Sequence, residues 1–152
     1  MPSVQKSSSL EQVNAETYVF AAVEKQLGIS LEKNKVIYLS DNPYMYIRPD
    51  FYSEENQVIG EIFAHIGKPK KAQNNKIAND ILKMLLFEEK THKSFRKIIV
   101  VCDQQEYMHL QGMSVLAECI RQFHIELMYV ELDEETRQRV LLAQKRQVMV
   151  NG

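Results

Sequence analysis

Two carboxylates stand out by their spacing. Asp50 follows Pro49 at the end of a β-prone run, and Glu61 lies eleven residues later inside another. That interval holds the end of one strand, a polar turn and the start of an antiparallel partner, so it predicts side chains brought close together. Paired carboxylates make a hard oxygen site suited to Mg²⁺ or Mn²⁺, ions that orient water and stabilise charge on a phosphodiester. On a strand of period two, Glu61, Phe63 and His65 share one face while Ile62, Ala64 and Ile66 share the other. His65, with an ordinary pKa of about 6.5, suits a base or a ligand at neutral pH, the structural alternative being a satisfied strand histidine.

Further polar candidates lie to either side. Lys68, Lys70 and Lys71 open a helical pattern. At about 100° per residue, Lys70, Gln73 and Asn74 fall near the side carrying Ile77 and Ile81, whereas Lys76, Asp80 and Lys83 fall away from it. Lys70 and Gln73 are therefore the expected polar support around an attacking water, unless they are helix-start residues in solvent. Glu16 falls between Val13 and Phe20 on an apolar helical stripe. An ionised group there needs a metal, a Lys or a hydrogen-bond donor, unless an edge position lets it reach water.

The elements that must position these residues follow from periodicity. Leu10, Val13, Phe20, Val23 and Leu27 recur at helical spacing before Gly28, which predicts an amphipathic helix over 10–27 behind a frayed Ser-rich start at 1–9. Residues 35–39 and 44–48 flank the turn sequence Asp41-Asn42-Pro43 and predict a hairpin, extended to a three-strand meander by 58–66. A helix from Pro69 to about Glu89 carries Ile77, Ile81 and Leu85, and residues 97–102 (KIIVVC) form the continuous apolar run of a strand covered on both faces. A third helix ending near Phe123, a strand at 125–132 and a helix from Asp133 complete the order α-β-β-β-α-β-α-β-α.

The order α-β-β-β-α-β, with Pro-Asp before a turn and Glu inside the next strand, resembles the core of the PD-(D/E)xK nuclease family. It covers residues 10–102, leaving α-β-α as a C-terminal extension. The resemblance implies an α/β restriction-endonuclease-like fold, a mixed sheet flanked by helices, and divalent-metal-dependent DNA endonuclease activity. It places Asp50 and Glu61 as ligands of Mg²⁺ or Mn²⁺, Glu16 as an auxiliary acid, Gln73 as a polar residue sent into the site, and homodimerisation for cutting both strands. The family's Lys two residues after the acidic residue is Phe63 here, and a phenyl ring cannot polarise water. His65 or Lys70 would have to substitute, or the fold serves as an inactive nucleic-acid-binding or assembly module. An α/β regulatory domain unrelated to nucleases is a third alternative.

Bulk properties bound the choice. The chain has 152 residues and 45% hydrophobic content, which suits a single domain over 10–152. Its net charge of −1 hides nine Lys or Arg against three acids in the segment 68–97, a candidate DNA surface. No apolar run predicts a membrane span or a signal peptide, so a cytoplasmic location without membrane contact is expected. Cys102 and Cys119 sit in apolar contexts and predict buried spectator thiols. Asp103, at the end of KIIVVC, reads as a helix cap, the alternative being the mark of a ligand crevice; the Tyr44-Met45-Tyr46 run reads as strand packing, and the five glycines form no phosphate-binding loop.

Overall fold

The computed structural model describes residues 4–151, with side chains described for 14–149. Helix α1 (Val4–Leu27) leads into β1 (Glu32–Lys33), β2 (Ile37–Tyr38), β3 (Tyr46–Ile47), β4 (Phe51–Ser53) and β5 (Val58–Phe63). Helix α2 (Lys71–Thr91), β6 (Arg96–Val101), α3 (Gln104–His109), α4 (Val115–Gln122), β7 (Ile125–Tyr129) and α5 (Glu134–Asn151) follow. Helix α1 starts ahead of the expected Leu10 and takes in Ser7, Ser8 and Ser9; of the expected frayed start, residues 1–3 lie outside the described residues. It ends at Gly28, whose φ of +70° closes the helix with an N–H donated to the Glu24 carbonyl at 2.8 Å.

Five strands form one mixed sheet in the order β1-β4-β5-β6-β7. The β1–β4 and β4–β5 pairs are antiparallel, and β5–β6 and β6–β7 are parallel. Strand alternation gives the sheet two apolar faces. On one, Val58, Ile62, Ile98, Val100 and Met128 pack under Ala15, Val19 and Val23 of α1 and Val140 of α5. On the other, Ile59, Phe63, Ile99 and Val101 meet Ile77, Ile81, Met84 and Phe87 of α2 and Ile120 of α4. The chain is thus an α/β protein with a mixed sheet flanked by helices. Among the described residues no helix is long and apolar enough to cross a membrane.

The meander differs from expectation. The 35–39 and 44–48 runs do pair, Ile37 with Ile47 and Tyr38 with Tyr46, but as a separate two-stranded ribbon. Its inner residues Leu39 and Ile47 are spent on the α2-side core, while Tyr38, Tyr44 and Tyr46 turn outward and are exposed. A ribbon lying on a core face cannot also extend the sheet. The antiparallel neighbour of β5 is instead Phe51–Ser53, where a Cβ on Gly60 would collide with the Phe51 ring, so only glycine fits beneath it. The expected single third helix is two, because Ser114 caps a new start by accepting from Ala117 N–H at 3.1 Å.

Candidate functional site

The carboxylates meet where the sheet is notched. Strand β4 stops at the Phe51–Gly60 pair, whereas β5 stays bonded to β6 as far as Phe63–Val101. Residues 61–63 therefore have one free edge. Asp50 lies at that edge, and its Oδ2 accepts from Ile62 N–H at 2.7 Å, taking a donor that a longer β4 would have used. Continuing the register puts Asp50 opposite Glu61 with both side chains on the α2 face. The two carboxyl groups are close enough to act on each other: Glu61 is pushed up to about 10 by burial first, then by the Asp50 charge and hydrogen bonding with Asp50. Burial and the neighbouring carboxylate both favour the protonated form at this pair.

Two more acids face the pair from the helices. Glu16 of α1 is half-buried, and burial first and the Asp50 charge second raise its pKa, against Lys76 and Lys33. Asp80 of α2, its side chain 14% exposed, is raised by burial first, with Lys76 and Lys83 opposing and Asp50 adding to the rise. Lys76 Nζ stands 5.6 Å over the Phe63 ring centroid. Lys33 Nζ donates to Thr17 Oγ1 at 2.9 Å, and Lys83 Nζ lies 3.9 Å from Asp80. Four elements thus gather Glu16, Asp50, Glu61 and Asp80 with Lys33, Lys76 and Lys83 around them.

Lys76 and Asp80 correct the sequence reading. Their helical angle puts them off the apolar stripe of Ile77 and Ile81, and that angle alone gives no sign that they face Asp50, Glu16 or Phe63. A helix lying on a sheet also presents its flanks, and where the sheet is notched a flank reaches strand residues directly. The same i, i+4 spacing that sets Lys76 and Asp80 one above the other was the available signal.

His65, Lys70 and Gln73 form a separate group. His65 stacks on Phe63 with centroids 5.6 Å apart, and its Nδ1 is buried without a partner. Its pKa is lowered, by burial first and also by Lys70, while Asp103 opposes. It lies four residues beyond Glu61, roughly 13 Å along an extended chain, so the two cannot hold one ion. Lys70 is exposed at the N-cap of α2, and its N–H donates to Gln73 Oε1 at 2.6 Å. His65, Gln73 and Lys76 share a cavity of about 250 Å³ with Phe63, Gln144 and Gln147.

The basic segment is less free than its composition suggests. Lys97 is buried against Glu88 at 2.7 Å, Arg96 grips Glu126 with two bonds of 2.9 Å, and Lys93 meets Glu54 at 3.2 Å. Asp103 caps α3, its Oδ2 accepting from Gln105 and Glu106 N–H and its Oδ1 from Gly67 N–H. Cys102 is buried and its thiol is pushed up to about 12 by burial first, whereas Cys119 is only half-buried.

Among the described residues no group of three or more His, Cys, Asp or Glu side chains is arranged to hold a metal ion. Comparison with family models, curated proteins and solved structures finds no significant match for the chain.

Proposed function

We propose that this chain is a divalent-metal-dependent DNA endonuclease of the PD-(D/E)xK type, hydrolysing phosphodiesters at the Asp50–Glu61 pair. In this reading α1, the antiparallel β1, β4 and β5, then α2 and β6 constitute a restriction-endonuclease-like core, and the elements from α3 onward are its extension. The observation that carries it is the convergence of Asp50 and Glu61 at a sheet notch faced by Glu16 and by an ammonium, Lys76.

The donor set fits the ion. Mg²⁺ commonly binds through one or two carboxylates and keeps several waters, so a third protein ligand is not required. Asp50 and Glu61 would hold it, with Glu16 as auxiliary acid, and once bound it supplies a Lewis acid that lowers the pKa of water. The remaining work falls to the chain. Hydrolysis joins a water oxygen to phosphorus and breaks one phosphorus–oxygen ester bond, with the water proton passing to a nearby base and the leaving oxygen gaining one. Lys76 supplies the positive charge that residue 63 lacks, and the Phe63 ring beneath it holds the ammonium by a cation–π contact. His65 and Gln73 support the substrate from the adjoining cavity, with Lys70 at its mouth.

Phe63 itself favours a second reading, a DNA-binding module that no longer cuts. Supercoiled plasmid incubated with Mn²⁺ or Mg²⁺ separates the two. Nicking by the wild type that is lost in Asp50→Ala supports the nuclease; DNA binding without nicking supports the module. Neither binding nor nicking removes both.

A further inference from the structure

Beyond the carboxylate notch, the end of β5 opens into a groove of about 530 Å³ between the start of α2 and the last turns of α5. Lys68, Lys70 and Gln73 line one wall and Lys145 and Gln147 the other, with His65 at its floor. His65, Gln73, Gln144 and Gln147 also line the smaller cavity whose far wall is Phe63 and Lys76, so the two spaces adjoin. Lys76 in turn faces Glu16 and Asp80. In the nuclease reading, Lys76 links the inner cavity to the carboxylate notch.

We infer that this groove holds the sugar–phosphate backbone of the DNA strand entering the Asp50–Glu61 notch, with Lys68, Lys70 and Lys145 contacting its phosphates. Where the strand leads rests on the nuclease reading; that it binds does not. Among the described residues none of these three lysines has a carboxylate within 4.0 Å, in contrast to Lys93, Arg96 and Lys97. Asp103, the carboxylate that His65 senses, has both oxygens committed to backbone N–H groups. Gln73 Oε1 is taken by Lys70 N–H, which leaves its amide N–H groups to donate outward. Uncommitted ammonium and amide donors match phosphate oxygens, and no exposed aromatic ring lines the groove for bases to stack on. An acidic peptide would find the same donors but has no reason to continue into the notch.

The test is fluorescence anisotropy of labelled duplex DNA with the full chain in EDTA over a series of salt concentrations. The triple variant Lys68→Ala, Lys70→Ala, Lys145→Ala is set against a control of equal charge loss, Lys25→Ala, Lys35→Ala, Lys90→Ala. All six residues are exposed, so both proteins should fold, and a single Lys145→Glu gives a second measure. The groove variant is expected to bind at least ~30-fold more weakly, with the log K against log salt slope falling by about 2 to 3. The control should lose less than about threefold. Equal losses in both variants, unchanged binding in the groove variant, or competition by polyglutamate as strong as by DNA would overturn the inference. Because EDTA removes metal, the groove stands if this pattern appears while plasmid nicking fails, and it falls alone if nicking succeeds while the groove variant binds as the wild type does.

Discussion

Among the described residues two carboxylate pairs can be set side by side, Asp50 with Glu61 and Asp103 with Glu106, and they are built differently. In both, burial and a neighbouring carboxylate push a glutamic acid up, Glu61 to about 10 and Glu106 to about 8. Glu106 is fully buried on α3, both its oxygens lack a hydrogen-bond partner, and no lysine or arginine offsets the rise. Asp103 beside it is occupied in capping that same helix. Asp50 and Glu61 come from different strands at an open sheet edge, and Lys33, Lys76 and Lys83 lie around them. A lone proton can neutralise either pair. Lysines and further acids surround the Asp50–Glu61 pair, whereas no lysine or arginine offsets the rise at Glu106, so the proposed metal ion is assigned to the notch and the other pair to the fold.

Substitutions in each pair sharpen that distinction. The largest effect is expected at Lys76: Lys76→Ala should lower plasmid nicking by ~100-fold, the usual cost of removing one preorganised charge from a transition state. Mn²⁺ affinity should change less than tenfold, and Lys76→Arg should recover part of the rate, a split that loss of folding would not produce. At the other pair, Asp103→Ala removes the α3 cap and orphans Gly67 N–H, which should cost about 2 kcal/mol in urea unfolding while leaving Mn²⁺ binding intact.

Glu106→Gln gives an effect on stability that depends on pH. Unfolded, Glu106 titrates near its ordinary 4.5, and folded at about 8, so on raising the pH the unfolded chain gives up its proton first. Stability is therefore complete below about pH 4.5, falls as pH rises towards 8, and levels off above it. The Gln variant lacks this decline and should be more stable than wild type at pH 8, with the difference vanishing near pH 4. Denaturant melts at several pH values read it directly. Smallest is Glu16→Gln, expected to weaken Mn²⁺ binding about threefold because the acid helps from a distance.

Much of this was written in the sequence where one rule governs. The alternation along 58–66 correctly assigned Phe63 and His65 to one face, and KIIVVC correctly gave a central strand. The eleven-residue interval anticipated the convergence of Asp50 and Glu61, although through β4 at Phe51–Ser53 and not through the 44–48 run. That strand was hidden because three residues next to a polar turn carry no periodicity of their own. The Tyr44-Met45-Tyr46 run reads as strand packing, yet Tyr44 and Tyr46 are exposed, because propensity does not say which surface a ribbon turns to solvent. Lys76 and Asp80 were missed because a helical wheel knows the apolar stripe but not the notch beside it. Glu106, in the polar string QQEYMH, gave no sign that it would be buried.

Calorimetric titration of Mn²⁺ into the metal-free protein tests the central claim most directly. The account predicts one ion per chain in the wild type and in Glu106→Gln, and loss of the binding heat in Asp50→Ala. Wild-type protein that takes up no Mn²⁺, or Asp50→Ala that binds it as tightly as the wild type, would contradict the assignment of the notch as a metal site.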